Sequence, residues 1–192
     1  GTLDDSKTHK LVLQGLFGTV NRVVSTKQLI DKKQLAQLKV MCLNLKYPEV
    51  EAKKVYGVKY FEELEFLTQN TARNKYIRNL ALALKGNTLL LFQLVEKHGE
   101  ILFNLIKEKA DPKRKVFFVY GGTETDDREK IRAITEKSDN AIIVASFGTF
   151  STGINIRNLH NIVFSSPTKS PIRVLQSIGR CLLYTSDAAD DC

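Results

Sequence analysis

Short apolar runs alternate with amphipathic stretches in the second half of the chain. From Gly86 onward, each apolar run is followed by a segment whose apolar residues recur at helical spacing. Strands separated by single helices are typical of βαβ units, so the pattern predicts an α/β fold with a parallel sheet flanked by helices. The predicted strands are Thr88–Gln93, Lys115–Tyr120, Ala141–Ser146 and Asn161–Ser165.

The first half of the chain is less regular. Val20–Thr26 and Gln37–Leu45 have the apolar, β-branched composition of strands, with a short helix predicted between them. Phe61–Leu84 carries apolar positions that predict a helical segment. Residues 1–19 are too short to fold alone, and we expect them to be the end of a preceding domain.

Composition indicates an ordinary globular protein. The 192 residues are 43% hydrophobic and 26% charged, which is enough to bury a core. No apolar run approaches the length of a membrane span, and the start lacks a signal-peptide pattern. The three cysteines form no C-x-x-C pair, so a reducing cytoplasm is expected.

The chain is basic, with a net charge of +8. Residues 20–60 carry nine basic and three acidic side chains. A basic surplus suits a partner with a phosphate backbone, because neutralised phosphates release counterions. A lysine-rich surface without such a partner explains the charge equally well.

Three polar segments each follow a predicted strand, where ligands bind to parallel sheets. The first is Tyr120–Arg128, in which two glycines precede a capped helix and Arg128 lies in the first helical turn. A cation is unfavourable there, next to the positive end of the helix dipole, and a bound phosphate partner accounts for its presence. A plain capped turn with a solvated arginine is the alternative.

The second segment begins at Ser146 and has four hydroxyls and two glycines within eight positions. That composition predicts a loop that offers N–H and hydroxyl groups to phosphates, although small-residue loops are common in α/β domains. The third is Gln176-Ser177-Ile178-Gly179-Arg180. Its arginine is the residue type that neutralises charge on a transferred phosphoryl group.

Other kinds of site find no support. The sequence has no G-x-x-x-x-G-K-[ST] phosphate loop and no acidic strand end for Mg²⁺. The three histidines are far apart and predict no metal site, and His98 is expected at the surface. A small Rossmann-like transferase requires a G-x-G-x-x-G turn after the first strand, which the sequence lacks.

In this order, the three segments resemble motifs of the second RecA-like domain of superfamily 2 helicases, over residues 86–182. The likeness is greatest to the members from T-even bacteriophages, over roughly residues 1–182. Two positions depart from the pattern: Asn155 replaces the usual aspartate, and Leu183 stands where a second arginine is expected. The implied parts are 1–19, the end of the first lobe; 20–85, a crossover and helical segment; 86–182, the C-terminal lobe; and 183–192, a non-native tail.

The resemblance implies an ATP-dependent helicase that acts on DNA without membrane contact, with branched DNA or RNA–DNA hybrids as candidate substrates. It implies that a first lobe in cis holds most of the ATP and Mg²⁺ contacts, so this chain alone is expected to be inactive. A stand-alone RecA-like module that binds nucleic acid without ATPase activity is the alternative. The implied site residues are Arg180 and Gln176 for catalysis, Gly153, Asn155 and Gly179 for ATP, and Arg128, Ser146 and Thr149 for nucleic acid.

Overall fold

The computed structural model describes residues 7–19, 28, 31–32, 38–152, 156 and 158–182, with the backbone alone at 7–10, 150–152 and 180–182. The chain divides into two compact units, one of residues 39–167 and one of residues 1–38 with 168–192. Three predictions fall outside the described residues: the strand Val20–Thr26, the site residues Gly153 and Asn155, and the tail 183–192.

A four-stranded parallel sheet forms the centre of the larger unit. The strands are β1 (Thr88–Phe92), β2 (Val116–Val119), β3 (Ile142–Ser146) and β4 (Asn161–Phe164). They lie in the order β2-β3-β1-β4, and every adjacent pair is parallel. The predicted α/β fold of RecA-like type is therefore confirmed, with strand ends within one residue of those predicted.

Helices follow the strands as the sequence pattern predicts. No helix among the described residues is long and apolar enough to cross a membrane. In the larger unit they are α2 (Glu49–Lys54), α3 (Tyr60–Gln69), α4 (Thr71–Ala83), a π-helix (Val95–Gly99), α5 (Glu100–Lys109), α6 (Thr125–Glu136) and α7 (Phe147–Thr152); in the smaller unit they are α1 (Lys7–Phe17) and α8 (Pro171–Leu182).

The core lies against the two central strands. Every residue of β1 and β3 is buried, which explains why both read as continuous apolar runs rather than alternating ones. Side chains that alternate along these strands share one face of the sheet and pack against α4 and α5. This cluster contains Leu90, Phe92, Ile142 and Val144 from the strands, and Ile77, Ala81, Leu102 and Ile106 from the helices.

One prediction for the first half of the chain is wrong. Residues 38–48 hold no regular secondary structure, and Val40 and Met41 are 69% and 67% exposed, so the strand predicted over Gln37–Leu45 does not form in its described part, residues 38–45. A strand needs the backbone of a neighbour, which apolar composition alone does not supply.

The helical prediction over Phe61–Leu84 is confirmed, and the segment forms two helices. They are separate because Asn70 leaves the helical conformation and its side chain accepts a hydrogen bond from the Arg73 N–H (2.9 Å).

A buried asparagine joins the amino ends of the strands. The Asn87 side chain is fully buried; its Nδ2 donates to the carbonyl oxygens of Thr135 (3.1 Å) and Asn158 (2.9 Å). Its Oδ1 accepts from the Ala141 N–H (2.8 Å), and its backbone carbonyl accepts from the Asn161 N–H (3.1 Å). One residue therefore holds the starts of β1, β3 and β4 and the end of α6.

We predict that Asn87→Ala lowers the free energy of unfolding by about 3 kcal/mol or more, because it leaves several buried backbone groups without partners. Urea unfolding of the chain, followed by circular dichroism, measures the change. Asn79→Ala is the control, since Asn79 is exposed on α4 and its loss should cost no more than about 0.5 kcal/mol. Equal effects of the two variants would contradict the role of Asn87.

Candidate nucleic-acid and nucleotide site

The carboxyl ends of the four strands meet at one edge of the sheet. The register pairs Phe92 with Ser146 and Leu91 with Phe164, so the segments that follow β1, β3 and β4 begin side by side. Val119 pairs with Ala145, which brings the turn after β2 to the same edge. Parallel sheets bind ligands at this edge, and two of the three predicted segments lie there.

The turn after β2 is closed by its own hydrogen bonds. The Tyr120 N–H donates to Thr123 Oγ1 (3.0 Å), and the Thr123 N–H donates to the Tyr120 carbonyl (3.0 Å). Arg128, in the first turn of α6, donates from Nη2 to the Gly121 carbonyl (3.0 Å). Its Nε is buried and finds no hydrogen-bond partner among the described residues, so this atom is closed to a ligand. The residue as a whole is only partly buried, and its contact with Gly121 lies at the surface, where the guanidinium can meet a ligand.

The segment after β3 is a helix start rather than the predicted loop. Ser146 Oγ accepts a hydrogen bond from the Thr149 N–H (3.3 Å), and this bond caps the start of α7. The same oxygen lies 2.7 Å from Thr149 Oγ1. The loop prediction is wrong because the capping hydroxyl stabilises a helix in a sequence of small residues. Ser146 and Thr149 are 8% and 4% exposed and bond to each other, and their contact with nucleic acid stays a prediction.

The third segment lies on α8, in the smaller unit. Pro171 begins the helix, and Ser170 Oγ accepts from the Arg173 N–H (3.4 Å), a favourable helix start. Gln176, Gly179 and Arg180 are spaced so that they share one side of the helix. Gln176 is exposed, and a Cβ placed on Gly179 would meet no atom of the described residues within 4 Å.

A buried polar cluster that no sequence pattern indicated lies at the carboxyl edge. His98 was expected at the surface, and this is wrong: its side chain is 0% exposed. The Leu94–Gly99 hydrogen bond spans five residues, as in a π-helix, and this wider turn carries His98 into the core. There Nδ1 of His98 lies 3.0 Å from Ser166 Oγ, which also accepts from the Gln93 N–H (3.1 Å).

A neighbouring arginine anchors the same stretch of chain. Arg73 donates from Nη2 to the Ser165 carbonyl (2.6 Å), and Ser165 Oγ donates to the Leu91 carbonyl (2.7 Å). The two serines that follow β4 are thus held by α4, by β1 and by the π-helix. His98 and Ser166 lie 68 residues apart in sequence, and Arg73 and Ser165 lie 92 residues apart. No local pattern could therefore have indicated these contacts.

Burial determines the charge state of His98. Removal from water, with a smaller contribution from the nearby positive charge of Arg73, lowers the pKa of the imidazole to about 4. His98 is therefore neutral at physiological pH. No group of three or more His, Cys, Asp or Glu side chains among the described residues could hold a metal ion.

Comparison with known proteins agrees with the motifs. Residues 72–182 match the model of the helicase conserved C-terminal domain. The chain is 38% identical over 185 residues to the ATP-dependent DNA helicase UvsW of Enterobacteria phage T4, covering 95% of this chain and 36% of that protein. The crystal structure of T4 UvsW superposes with a TM-score of 0.61 and 40% identity, over 70% of this chain and 27% of that one. The chain thus spans about a third of this relative.

We predict that the stability of the chain falls as the pH drops from about 6.5 towards 4, because the unfolded state binds a proton that folded His98 rejects. Because the pKa of His98 is lower in the folded chain than in the unfolded chain, the neutral imidazole contributes its full stabilisation above the unfolded pKa. As the pH falls from that value towards the folded pKa, the free energy of unfolding decreases by roughly 3 kcal/mol in total. His98→Asn, which keeps a polar atom near Ser166, should flatten the curve in this window. Urea unfolding measured at several pH values tests this, and parallel curves for the two proteins would contradict it.

Proposed function

Because the chain belongs to the superfamily 2 helicases that carry the conserved C-terminal domain, we propose that it forms the second RecA-like lobe of an ATP-dependent DNA helicase. The observation that carries the proposal is the carboxyl edge of the sheet, where the Arg128 turn and the Ser146 helix start lie together. The similarity to a DNA helicase supports DNA as the partner and ATP as the nucleotide.

In this proposal, α8 acts on the nucleotide. ATP and Mg²⁺ are held mainly by a first RecA-like lobe joined in cis. Arg180 neutralises the charge that develops on the transferred phosphoryl group, and Gln176, one turn earlier, orients that arginine or the attacking water. Gly179 allows the helix to approach the nucleotide closely, and Gly153 and Asn155 line its edge. Since the phosphate cradle belongs to the first lobe, hydrolysis requires the two-lobed protein.

The carboxyl edge contacts nucleic acid in this proposal. Arg128 is only partly buried, and it binds a phosphate with its guanidinium at the surface, beside the Gly121 carbonyl. Ser146 and Thr149 make a second backbone contact. The expected substrates are branched DNA and RNA–DNA hybrids met in recombination, at replication forks and in R-loops, in the cytoplasm of a host cell. A RecA-like module that binds nucleic acid without ATPase activity remains the second candidate.

We predict that this chain binds single-stranded DNA with an affinity that falls as salt rises, and that Arg128→Ala weakens it. Loss of one phosphate contact should reduce the slope of log K against log salt by about 0.7. Arg132→Ala is the matched control: it removes the same charge from the same helix, but Arg132 already pairs with Glu129 (2.8 Å) and Glu136 (3.1 Å). Fluorescence anisotropy at several salt concentrations measures both. If the two variants behave alike, Arg128 has no specific contact.

The nucleotide role of Arg180 is tested in a two-lobed helicase that carries this chain as its second lobe. Arg180→Ala should lower DNA-stimulated ATP hydrolysis by about 10³-fold and leave DNA affinity nearly unchanged. Arg173→Ala, which removes an exposed cation two turns earlier on α8, should keep most of the activity. Steady-state ATPase with DNA in excess gives the comparison. Unimpaired turnover by the Arg180 variant would leave the ATPase-free module as the better description.

A further inference from the structure

A row of aromatic rings leads from the core to the carboxyl edge of the sheet. The rings of Phe92 and Phe118 are stacked with centroids 5.5 Å apart, and Phe118 is followed by Tyr120 at 5.4 Å. Phe103 of α5 packs against Phe118 from 5.2 Å. Exposure differs between the two ends of the row: Phe92 at the inner end is 0% exposed, whereas Tyr120 at the outer end is 36% exposed.

The Tyr120 ring is held in place from two sides. Phe118 contacts it within the row, and Gly122 lies so close that an added Cβ would come within 2.7 Å of Tyr120 Cε2. The backbone on both sides of the ring is closed by the two Tyr120–Thr123 hydrogen bonds of 3.0 Å. The exposed part of the ring is therefore presented with little loss of conformational entropy when a ligand binds.

A cation occupies the same turn as this exposed ring. The carbonyl of Gly121, the residue after Tyr120, accepts a surface hydrogen bond from Nη2 of Arg128, a residue that is only partly buried. A fixed aromatic surface beside a partly exposed arginine is the combination by which proteins hold unpaired nucleotides. Bases stack on the ring, and the cation neutralises the backbone.

We propose that Tyr120 stacks on a base of single-stranded nucleic acid while Arg128 binds a phosphate of the same strand. The proposal rests on the function proposed above and adds a contact to the bases, which the Arg128 phosphate contact does not provide. A base in a continuous duplex keeps both faces covered by its neighbours. Stacking on Tyr120 therefore selects unpaired strands, such as those of forks and displaced loops, without selecting a base sequence.

The experiment separates bases from phosphates. Binding of the chain is measured by anisotropy to a short single-stranded oligonucleotide and to one of equal length built from abasic sites, which keeps the phosphates. Tyr120→Ala should bind the intact strand between about 5-fold and about 100-fold more weakly, the range for loss of one stacked base, and bind the abasic strand as the unchanged chain does. Tyr120→Phe keeps the ring and should retain affinity for both strands.

Two further variants keep the outcome clear. Tyr120→Leu still covers Phe118 but has no aromatic face, so it should show the same selective loss even if the alanine variant folds poorly. Arg128→Ala should weaken binding to both strands. If the unchanged chain binds neither strand, the proposed function fails. If it binds both strands equally, or if Tyr120→Leu keeps full affinity for the intact strand, the stacking proposal fails while the function stands.

Discussion

The buried hydrogen bonds of Asn87 are the constraint on which the geometry of the larger unit depends. This residue joins the starts of β1, β3 and β4 at the amino edge of the sheet. Parallel strands that start level and have similar lengths also end level, so the segments after them emerge together at the opposite edge. Unpaired polar groups are costly in this interior, and Asn87 therefore specifies one register among the several that apolar strands would tolerate.

Opposite Asn87, a second polar cluster holds the chain that leaves the sheet. Arg73, His98 and Ser166 lie on three different segments and tie down the residues after β4. His98 contributes as a neutral imidazole, because burial beside Arg73 disfavours its protonation. The two polar clusters thus lie at opposite ends of the same strands, and apolar packing between them supplies the core.

At the carboxyl edge itself, the polar side chains differ in what they leave exposed. Ser146 and Thr149 bond to each other and stabilise a helix start, whereas Tyr120 is 36% exposed and Arg128 is only partly buried. In the function proposed above, the lobe holds the backbone of its substrate without regard to base sequence. Phosphate pairing and base stacking both suit that role, since every nucleotide has a phosphate and a flat face.

The parallel α/β sheet, the positions of its strands and the helix that carries Gln176 and Arg180 follow from the sequence, because apolar periodicity is a local signal. The order of the family motifs is equally a property of the sequence. The absence of a strand over residues 38–48 depends on the fold, because a strand needs the backbone of a neighbour. Ser146 caps its helix through Thr149, only three residues later, a local signal that the small-residue composition obscured. His98 entered the core for a reason that local pattern could not show: its partner Ser166 comes from a distant segment. Burial, hydrogen-bond partners and the exposure of Tyr120 depend on contacts between remote segments, and these exist only once the chain has folded.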